Sequence, residues 1–187
     1  MLSLLNEKEK GYLFGLFIGD GYLYKGKCRH YQTYFYLNPT KDKDVAEFIL
    51  KILKKIGISP YIMEHHGCLV IRINSKELYN DFKEEIENIQ NTKNDDFALG
   101  FVSGFIDSDG YVGTGDIVIT NKNVEFLKIV KNFCDKFEVH SRIWHQDTSF
   151  NGSVFSIWRL RIGTKFKYKK HYSQKIARVY GGGDYPS

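Results

Sequence analysis

The stretch GLFIGDGYLY, residues 15–24, has a near twin in GFIDSDGYVG, residues 104–113. Each is an apolar run that contains glycine, ends in Asp-Gly and is followed by a tyrosine. A carboxylate stands at the same place in both copies, as Asp20 and as Asp109. Internal similarity of this kind indicates that one structural unit is present twice.

Further landmarks keep the spacing of the two copies. Asp20 and Asp109 are 89 residues apart, and so are Lys76 and Lys165 in the similar segments RINSKELY and RIGTKFKY. Between these anchors the offset drifts, which insertions explain: a longer early loop around YLYKGKCRHYQTY in the first half and a longer late loop around QDTSFNGSVFS in the second. Insertions collect in loops, so we predict a duplicated fold.

The hydrophobic pattern gives both halves the same order of elements. Asn6 and Asn94 are the predicted N-caps of the repeated helices, and Gly57 is the predicted stop of a later helix. The fold class predicted is α+β, with αββαββα halves at residues 1–93 and 94–187. The predicted helices are NEKEKGYLFGLFIGD, KNDDFALGFVSGFIDSD, VAEFILKILKKIG, NVEFLKIVKNFCDKF, SKELYNDFKEEIENI and TKFKYKKHYSQKIARVY. The predicted strands are TYFYLN, GDIVIT, YIMEHH, SRIWHQ, CLVIRIN and FSIWRLRIG, with a further strand near 22–25 and near 111–114.

Small residues recur on one face of each repeated helix. Gly15 and Gly19 are four residues apart, and Gly104 and Ser108 match them. Glycine inside a helix costs about 1 kcal/mol relative to alanine, which close packing of two helix backbones offsets. We therefore expect the two repeated helices to pack against each other.

That packing would bring Asp20 and Asp109 together at the C-terminal ends of the helices. A helix C-terminus is an unfavourable place for a carboxylate, and a second carboxylate adds repulsion. A hard divalent cation relieves both, because carboxylate oxygens are the ligands that Mg²⁺ prefers. Paired carboxylates that bind divalent metals suit in-line attack on a phosphodiester.

The composition narrows the class of protein. A net charge of +5 favours a polyanionic partner, most often nucleic acid, although a basic protein without such a partner has the same charge. Three cysteines without a CxxC pair argue against a disulfide framework or a structural zinc site. The charged N-terminus does not resemble a signal peptide and the longest apolar run is too short for a membrane span. We expect an intracellular, cytoplasmic protein.

The two repeated segments resemble a known motif. LFGLFIGDG, residues 13–21, and VSGFIDSDG, residues 102–110, are similar to the motifs of the LAGLIDADG homing endonucleases in their single-chain, two-motif form. The resemblance implies two halves around a pseudo-twofold axis, with the motif helices at the centre and a saddle-shaped antiparallel sheet from each half on the DNA major groove. It also implies a monomeric, intron-encoded enzyme that uses Mg²⁺ or Mn²⁺ to make double-strand breaks at a long DNA site.

The resemblance also implies roles for particular residues. Asp20 and Asp109 match the metal-binding acids, and the backbone carbonyls of Gly19 and Ser108 would help to bind metal. Lys76 and Lys165 match basic residues at the edge of the site that support the charge of the transition state; a solvated first-turn lysine is the alternative.

The motif positions also show departures from the family pattern. The sixth motif position is Ile18 in one copy and Asp107 in the other, so a structural or supporting role is expected for Asp107. Where the family often has a glutamine before the second helix, the nearest residues are Thr40 and Asn121.

Strand alternation predicts which side chains face the DNA. Ile71, Ile73, Leu160 and Ile162 should face the helices, together with Ile62 and Ile143 in the neighbouring strands. The predicted DNA-binding residues on the outer faces are Gln32, Tyr34, Tyr36, Tyr61, Arg72, Arg142, Trp144, Arg159 and Arg161. Lys25, Lys27 and Arg29 are predicted to reach the DNA backbone from a loop or hairpin end. The basic run KFKYKKHYSQK is either a phosphate contact or a solvated face.

Other functions remain open at this point. An RNA maturase that helps its intron to fold would use the same basic surface. A DNA-binding regulator that does not cut would be expected to have lost an acid or a half. The histidines at matched strand positions, His65, His66, His140 and His145, raise the question of zinc, but they lack Cys or acidic partners at ligand spacing.

Overall fold

The computed structural model describes residues 1–27, 30–92, 94–150 and 152–181. The first half runs α1 (Glu7–Asp20), β1 (Gly21–Lys25), β2 (Tyr31–Leu37), α2 (Lys43–Lys55), β3 (Tyr61–His65), β4 (Cys68–Asn74) and α3 (Lys76–Asn88). The second half runs α4 (Asp95–Asp109), β5 (Gly110–Val112), β6 (Ile117–Asn121), α5 (Val124–Lys136), β7 (Ser141–Phe150), β8 (Ser153–Ile162) and α6 (Gln174–Tyr180). Short 3₁₀ helices cover Leu2–Leu4, Ile89–Asn91 and Thr164–Tyr168.

Helices α1 and α4 begin as the sequence predicts. The side chain of Asn6 accepts a hydrogen bond from the backbone N–H of Glu9, and the side chain of Glu9 accepts one from the backbone N–H of Asn6. Asn94 accepts in the same way from the backbone N–H of Phe97. These caps satisfy N–H groups that have no partner inside the helix.

Glycines let α1 and α4 touch along their backbones. A methyl group on Gly15 would overlap the carbonyl of Phe101, and one on Gly104 would overlap the carbonyl of Tyr12. Gly11 and Gly100, which the sequence analysis did not single out, make the same kind of contact one turn earlier. The predicted helix pairing is confirmed, and it extends over more of each helix than expected.

Each half forms one four-stranded antiparallel sheet. The strand orders are β1-β2-β4-β3 and β5-β6-β8-β7, so the two sheets have the same topology. Of the apolar side chains predicted to face the helices, those of the central strands are buried, with Ile71, Ile73, Leu160 and Ile162 at most 1% exposed. The architecture is thus the predicted α+β fold with two similar halves.

Three local predictions differ from the structure. The segment predicted as one closing helix, residues 164–180, is a 3₁₀ helix followed by an extended stretch and the short α6. Most of the late loop predicted around QDTSFNGSVFS is instead a continuation of β7 and β8, in which residues 146–150 pair with residues 153–157 beyond the end of β6. Ile62 is 50% exposed because β3 is an edge strand that no helix covers.

The glycines that follow the motif aspartates, Gly21 and Gly110, are required by lack of space and not by a left-handed backbone conformation of the kind that usually ends a helix. Gly21 and Gly110 have φ of -101° and -90°, which any residue adopts. A side chain at Gly21 would overlap Phe17, and one at Gly110 would overlap Ile106. Gly57, in contrast, has φ of 72° and ends its helix as predicted.

None of the helices in the described residues combines the length and apolar character that a membrane crossing requires.

Candidate active site and nucleic-acid interface

Asp20 and Asp109 lie side by side at the ends of α1 and α4. The backbone contact between the helices continues to their last turns, where a methyl group on Gly19 would overlap the side chain of Ser108 and lie 3.0 Å from Cγ of Asp109. Both carboxylates are half-buried. The glycine face therefore fixes the position of one acid relative to the other.

The surroundings of these acids oppose their ionisation. Burial and the nearby charge of Asp109 raise the pKa of Asp20 to about 7, with a further contribution from Asp42 and an opposing one from Lys175. Burial also raises the pKa of Asp109, against the effects of Asn121 and Lys175. Two partly desolvated carboxylates close to each other are typical of a site that binds a cation.

The two acids differ in their hydrogen bonds. The side-chain amide of Asn121 donates to Oδ2 of Asp109 over 2.6 Å. Phe35 pairs with Gly21 as Ile119 pairs with Gly110, so Leu37 is the residue of the first half that corresponds to Asn121. Leu37 is 2% exposed and apolar, and among the described residues no side chain donates to Asp20.

Lys76 and Lys165 are not among the charged groups that shift the pKa values of Asp20 and Asp109. Lys76 begins α3, with its ammonium 5.7 Å from the centre of the Tyr31 ring. It comes two residues after Asn74, which lies in one row across the sheet with Gln32 and Tyr24. That row is three positions, or about 10 Å, beyond Gly21 along the sheet. Lys165 is exposed in a 3₁₀ helix. Lys175 is the lysine whose charge opposes the raised pKa values of Asp20 and Asp109 in this structure.

The outer face of the first sheet is rich in tyrosine. Tyr22, Tyr34, Arg72 and Tyr61 form one row across all four strands. The guanidinium of Arg72 lies 4.7 Å from the centre of the Tyr61 ring. Further along the strands, the Tyr36 and Tyr34 rings stack at 5.9 Å.

Polar side chains extend this tyrosine face. Gln32 accepts a hydrogen bond from the hydroxyl of Tyr34 and donates one to Asn74. These groups lie on the face predicted to contact DNA.

The outer face of the second sheet carries arginines instead. Arg142 and Arg161 are directly opposite each other on β7 and β8, and Arg159 is opposite Trp144. Like charges directly across a sheet are destabilising, and Arg161 is partly compensated by an ion pair with Asp116. The Nε of Arg159 is buried and has no hydrogen-bond partner within the described residues. Arginines in such positions can contact the phosphates of an anionic partner.

The loop between β1 and β2 is only partly described. Lys25 ends β1, with its ammonium 5.6 Å from the centre of the Tyr31 ring, and Lys27 follows it. Arg29, predicted to contact DNA, lies outside the described residues.

Two carboxylates and nearby carbonyls form the donor set available to a metal. No three His, Cys, Asp or Glu side chains of the described residues lie close enough together to hold an ion. Asp20 and Asp109 nevertheless offer hard oxygen donors at two helix C-termini. Asp20 accepts no hydrogen bond from a side chain of the described residues. Such a pair fits a divalent cation that takes its other ligands from carbonyl, water or phosphate oxygens.

A comparison with protein families agrees with this arrangement. The model described as a LAGLIDADG-like domain matches the chain twice, over residues 7–87 and 96–175. This chain belongs to the LAGLIDADG family. Each match contains one motif helix and the sheet that follows it.

Two curated proteins are similar in sequence to this chain. The uncharacterized protein MJ0398 of Methanocaldococcus jannaschii is 30% identical over 147 residues, which make up 76% of this chain and 53% of that protein. The chain thus spans about half the length of that relative. Homing endonuclease I-DmoI of Desulfurococcus mucosus is 27% identical over 172 residues, or 86% of this chain and 88% of that protein.

Solved structures show the same LAGLIDADG fold. The crystal structure of I-DmoI in complex with DNA and Ca has a TM-score of 0.74 at 21% identity, over 96% of this chain and 94% of that one. Full-length DUF199/WhiA from Thermatoga maritima has a TM-score of 0.61 at 14% identity, over 92% of this chain and 58% of that one. At these identities the likeness concerns the fold.

The LAGLIDADG motif residue Asp107 is fully buried and holds the C-terminal helix. Its carboxylate accepts hydrogen bonds from the hydroxyls of Tyr12 and Ser173, over 2.8 and 2.6 Å. It also accepts from the backbone N–H groups of Gln174 and Lys175, over 2.7 and 3.0 Å. The supporting role expected for this residue thus takes the form of an anchor for the start of α6.

Sequence reasoning missed Lys175 and the contact of Asn121 with Asp109. Asn121 could have been found from register, because it is two residues beyond the partner of Gly110. Lys175 carries no local signal, since it meets the motif 67 residues away along the chain.

Proposed function

We propose that this chain is a site-specific homing endonuclease that makes double-strand breaks in a long DNA target by metal-dependent hydrolysis of phosphodiester bonds. The observation that supports this most directly is the pair of desolvated carboxylates, Asp20 and Asp109, between two sheets whose outer faces carry arginine and tyrosine. The similarity to the homing endonuclease I-DmoI supports the same proposal.

The proposed division of labour follows the two surfaces. The sheet faces bind the duplex, with arginines in contact with base edges and phosphates and tyrosines in contact with bases and sugars. Because the motif helices meet between the sheets, the scissile phosphates would lie above the two acids. A half of this fold on each side of the acids gives one protein molecule two half-sites to read, so we propose a monomer.

Asp20 and Asp109 would hold a divalent cation, Mg²⁺ or Mn²⁺. The chemistry that a bound ion would supply there is the activation of a water molecule and stabilisation of the leaving oxygen of the phosphodiester. Asn121 fixes the rotamer of Asp109 by its hydrogen bond, so this acid stays directed at the same position. Gly19 keeps the two acids close because no side chain separates the last helical turns.

For Lys76 and Lys165 we keep the proposed role of supporting the charge that develops in the transition state. Both are exposed and follow the last strand of their sheet, from which a bound duplex could draw them inward. Lys76→Met and Lys165→Met should then slow cutting more than they weaken binding.

The test is cleavage of a randomised duplex library in the presence of Mg²⁺. The native chain should give sequence-specific breaks, and both Asp20→Asn and Asp109→Asn should abolish them while DNA binding remains. Asp135→Asn is a matched control, because Asp135 is an exposed acid on α5 with a surface ion pair to Lys131. Tight binding without cutting in any divalent metal, unchanged in the variants, would contradict the nuclease and favour a regulator or a maturase.

A further inference from the structure

Lys175 places a fixed positive charge at the end of the second motif helix. Its ammonium donates to the carbonyl oxygen of Ser108 and to that of Gly110, each over 2.9 Å. These two carbonyls flank Asp109 along the chain. The ammonium is thus held against the backbone on both sides of the Asp109 carboxylate.

The backbone of Lys175 is held as firmly as its side chain. Its N–H donates to Oδ1 of the buried Asp107, next to the bond from the hydroxyl of Ser173 to the same oxygen. Asp107 belongs to α4, as do the carbonyl of Ser108 and the carboxylate of Asp109. Hydrogen bonds therefore hold both the backbone N–H and the ammonium of Lys175 against the end of α4, so its position in the site is fixed.

Within the described residues of the first half, no cation is held in this way. Ile18 stands where the second half has Asp107, and α3 begins at Lys76 directly after its sheet without the extended stretch that precedes α6. Among the described residues, no side chain donates to the carbonyl of Gly19. The two sides of the carboxylate pair thus match in their acids and differ by one positive charge.

A hard divalent cation at a helix end takes carboxylate and carbonyl oxygens. On the second side, two carbonyl oxygens already accept from an ammonium, and a divalent ion placed there would also be repelled by it. On the first side, neither obstacle is present among the described residues. The charge that a metal would bring to the second side is supplied by the chain itself.

We propose that Lys175 is the resident cation of the second half's side of the carboxylate site, and that the free protein binds one divalent ion, on the side of Asp20. This rests on the proposed function, because it assumes that the paired acids bind metal. Lys175 is a positioning residue in this scheme: it keeps the metal off the carbonyls of Ser108 and Gly110.

A titration with Mn²⁺, followed by the electron paramagnetic resonance signal of the free ion, tests this with the metal alone. The native chain should bind one ion. Lys175→Met and Lys175→Gln should bind Mn²⁺ about tenfold more tightly or take up a second ion, because a repelling charge is removed. Lys175→Arg, which keeps the charge, should behave as the native chain, and so should Lys170→Met, which removes an exposed lysine of the same segment.

Unchanged affinity and stoichiometry in folded Lys175→Met and Lys175→Gln would overturn the inference, as would a native chain that binds no Mn²⁺ or two ions. Asp20→Asn separates this failure from that of the proposed function. If Asp20→Asn loses Mn²⁺ while the lysine variants match the native chain, only the role of Lys175 is wrong. If Asp20→Asn binds as the native chain does, the metal site itself is wrong.

Discussion

Asp20 is an acid in a place that opposes its charge. It is half-buried, it ends a helix, and it lies beside Asp109. An acid whose pKa is raised on folding binds its proton more tightly in the folded state than in the unfolded state. The folded protein therefore loses stability as the pH rises from the unfolded pKa, 3.8, to the folded pKa, about 7, and the loss is complete above that.

From this we predict a pH-dependent effect of Asp20→Asn on the metal-free protein. At pH 8 the variant should melt at a higher temperature than the native chain, since amide replaces a charged group that burial disfavours. For a chain of this size each 1 kcal/mol corresponds to about 2–4 °C. Near pH 4 Asp20 of the folded native chain is protonated and neutral, as is the amide of the variant, so the difference in melting temperature should nearly vanish. Differential scanning calorimetry in the presence of a chelator measures both values.

Asp135→Asn serves as the control for this measurement, because Asp135 is exposed and its ion pair with Lys131 lies on the surface of α5. A gap between native and Asp20→Asn that is the same at both pH values would show that the charge of Asp20 is not its source.

Among the elements, the glycine-lined pair of α1 and α4 bears most directly on stability. Gly15→Ala should destabilise the protein by about 3 kcal/mol or prevent folding, because the added methyl group meets the backbone carbonyl of Phe101, which cannot rotate away. Gly115→Ala is the matched control, since a methyl group there meets nothing within 4 Å. Urea unfolding gives both values, and equal midpoints for the two variants would contradict the backbone contact.

The anchoring of α6 gives a second prediction at this scale. Asp107→Ala leaves the hydroxyls of Tyr12 and Ser173 and two backbone N–H groups without their acceptor, and it should cost about 3–5 kcal/mol. Hydrogen exchange should become faster in α6 before it does in α2. Ile18→Ala, the change at the equivalent position of the first half, should leave the exchange of α6 unaltered, and protection of α6 in Asp107→Ala would refute the anchor.

The elements were predicted from sequence far better than their long-range contacts. Alternation and helical periodicity are local, so the strands that carry Ile71 and Leu160 and the caps at Asn6 and Asn94 could be predicted without a structure. The break before α6 could not, because it depends on a carboxylate 66 residues away that bonds to Ser173. The pairing of the acids followed from the repeat, whereas the ammonium beside them had no repeated counterpart to reveal it.

At the scale of the whole molecule, the two halves share a fold and differ in surface chemistry. The first sheet presents Tyr22, Tyr34 and Tyr61 around one arginine, and the second presents Arg142, Arg159 and Arg161. Arginine pairs best with guanine in the major groove. We therefore predict that one half of the DNA target is richer in guanine contacts, and that this half is read by the second sheet.

Selection of cleaved or bound sites from a randomised library checks this prediction. Arg159→Ala should relax base preference in one half-site only and weaken discrimination there by about 1–3 kcal/mol. Lys128→Met, which removes an exposed lysine of the helix α5, is the control and should leave the preferences of both half-sites unchanged. Relaxation spread evenly over both half-sites would contradict the assignment of arginines to one of them.

The hairpin of β7 and β8 extends past the rest of its sheet, while the matching hairpin of β3 and β4 ends at the tight turn of His66 and Gly67. The longer hairpin thereby breaks the approximate twofold symmetry of the molecule and gives it polarity. Seen by any long partner, its two ends have different outlines, so a half-turn does not superimpose it on itself. Even a palindromic partner would therefore be bound in one of two distinguishable orientations at a time.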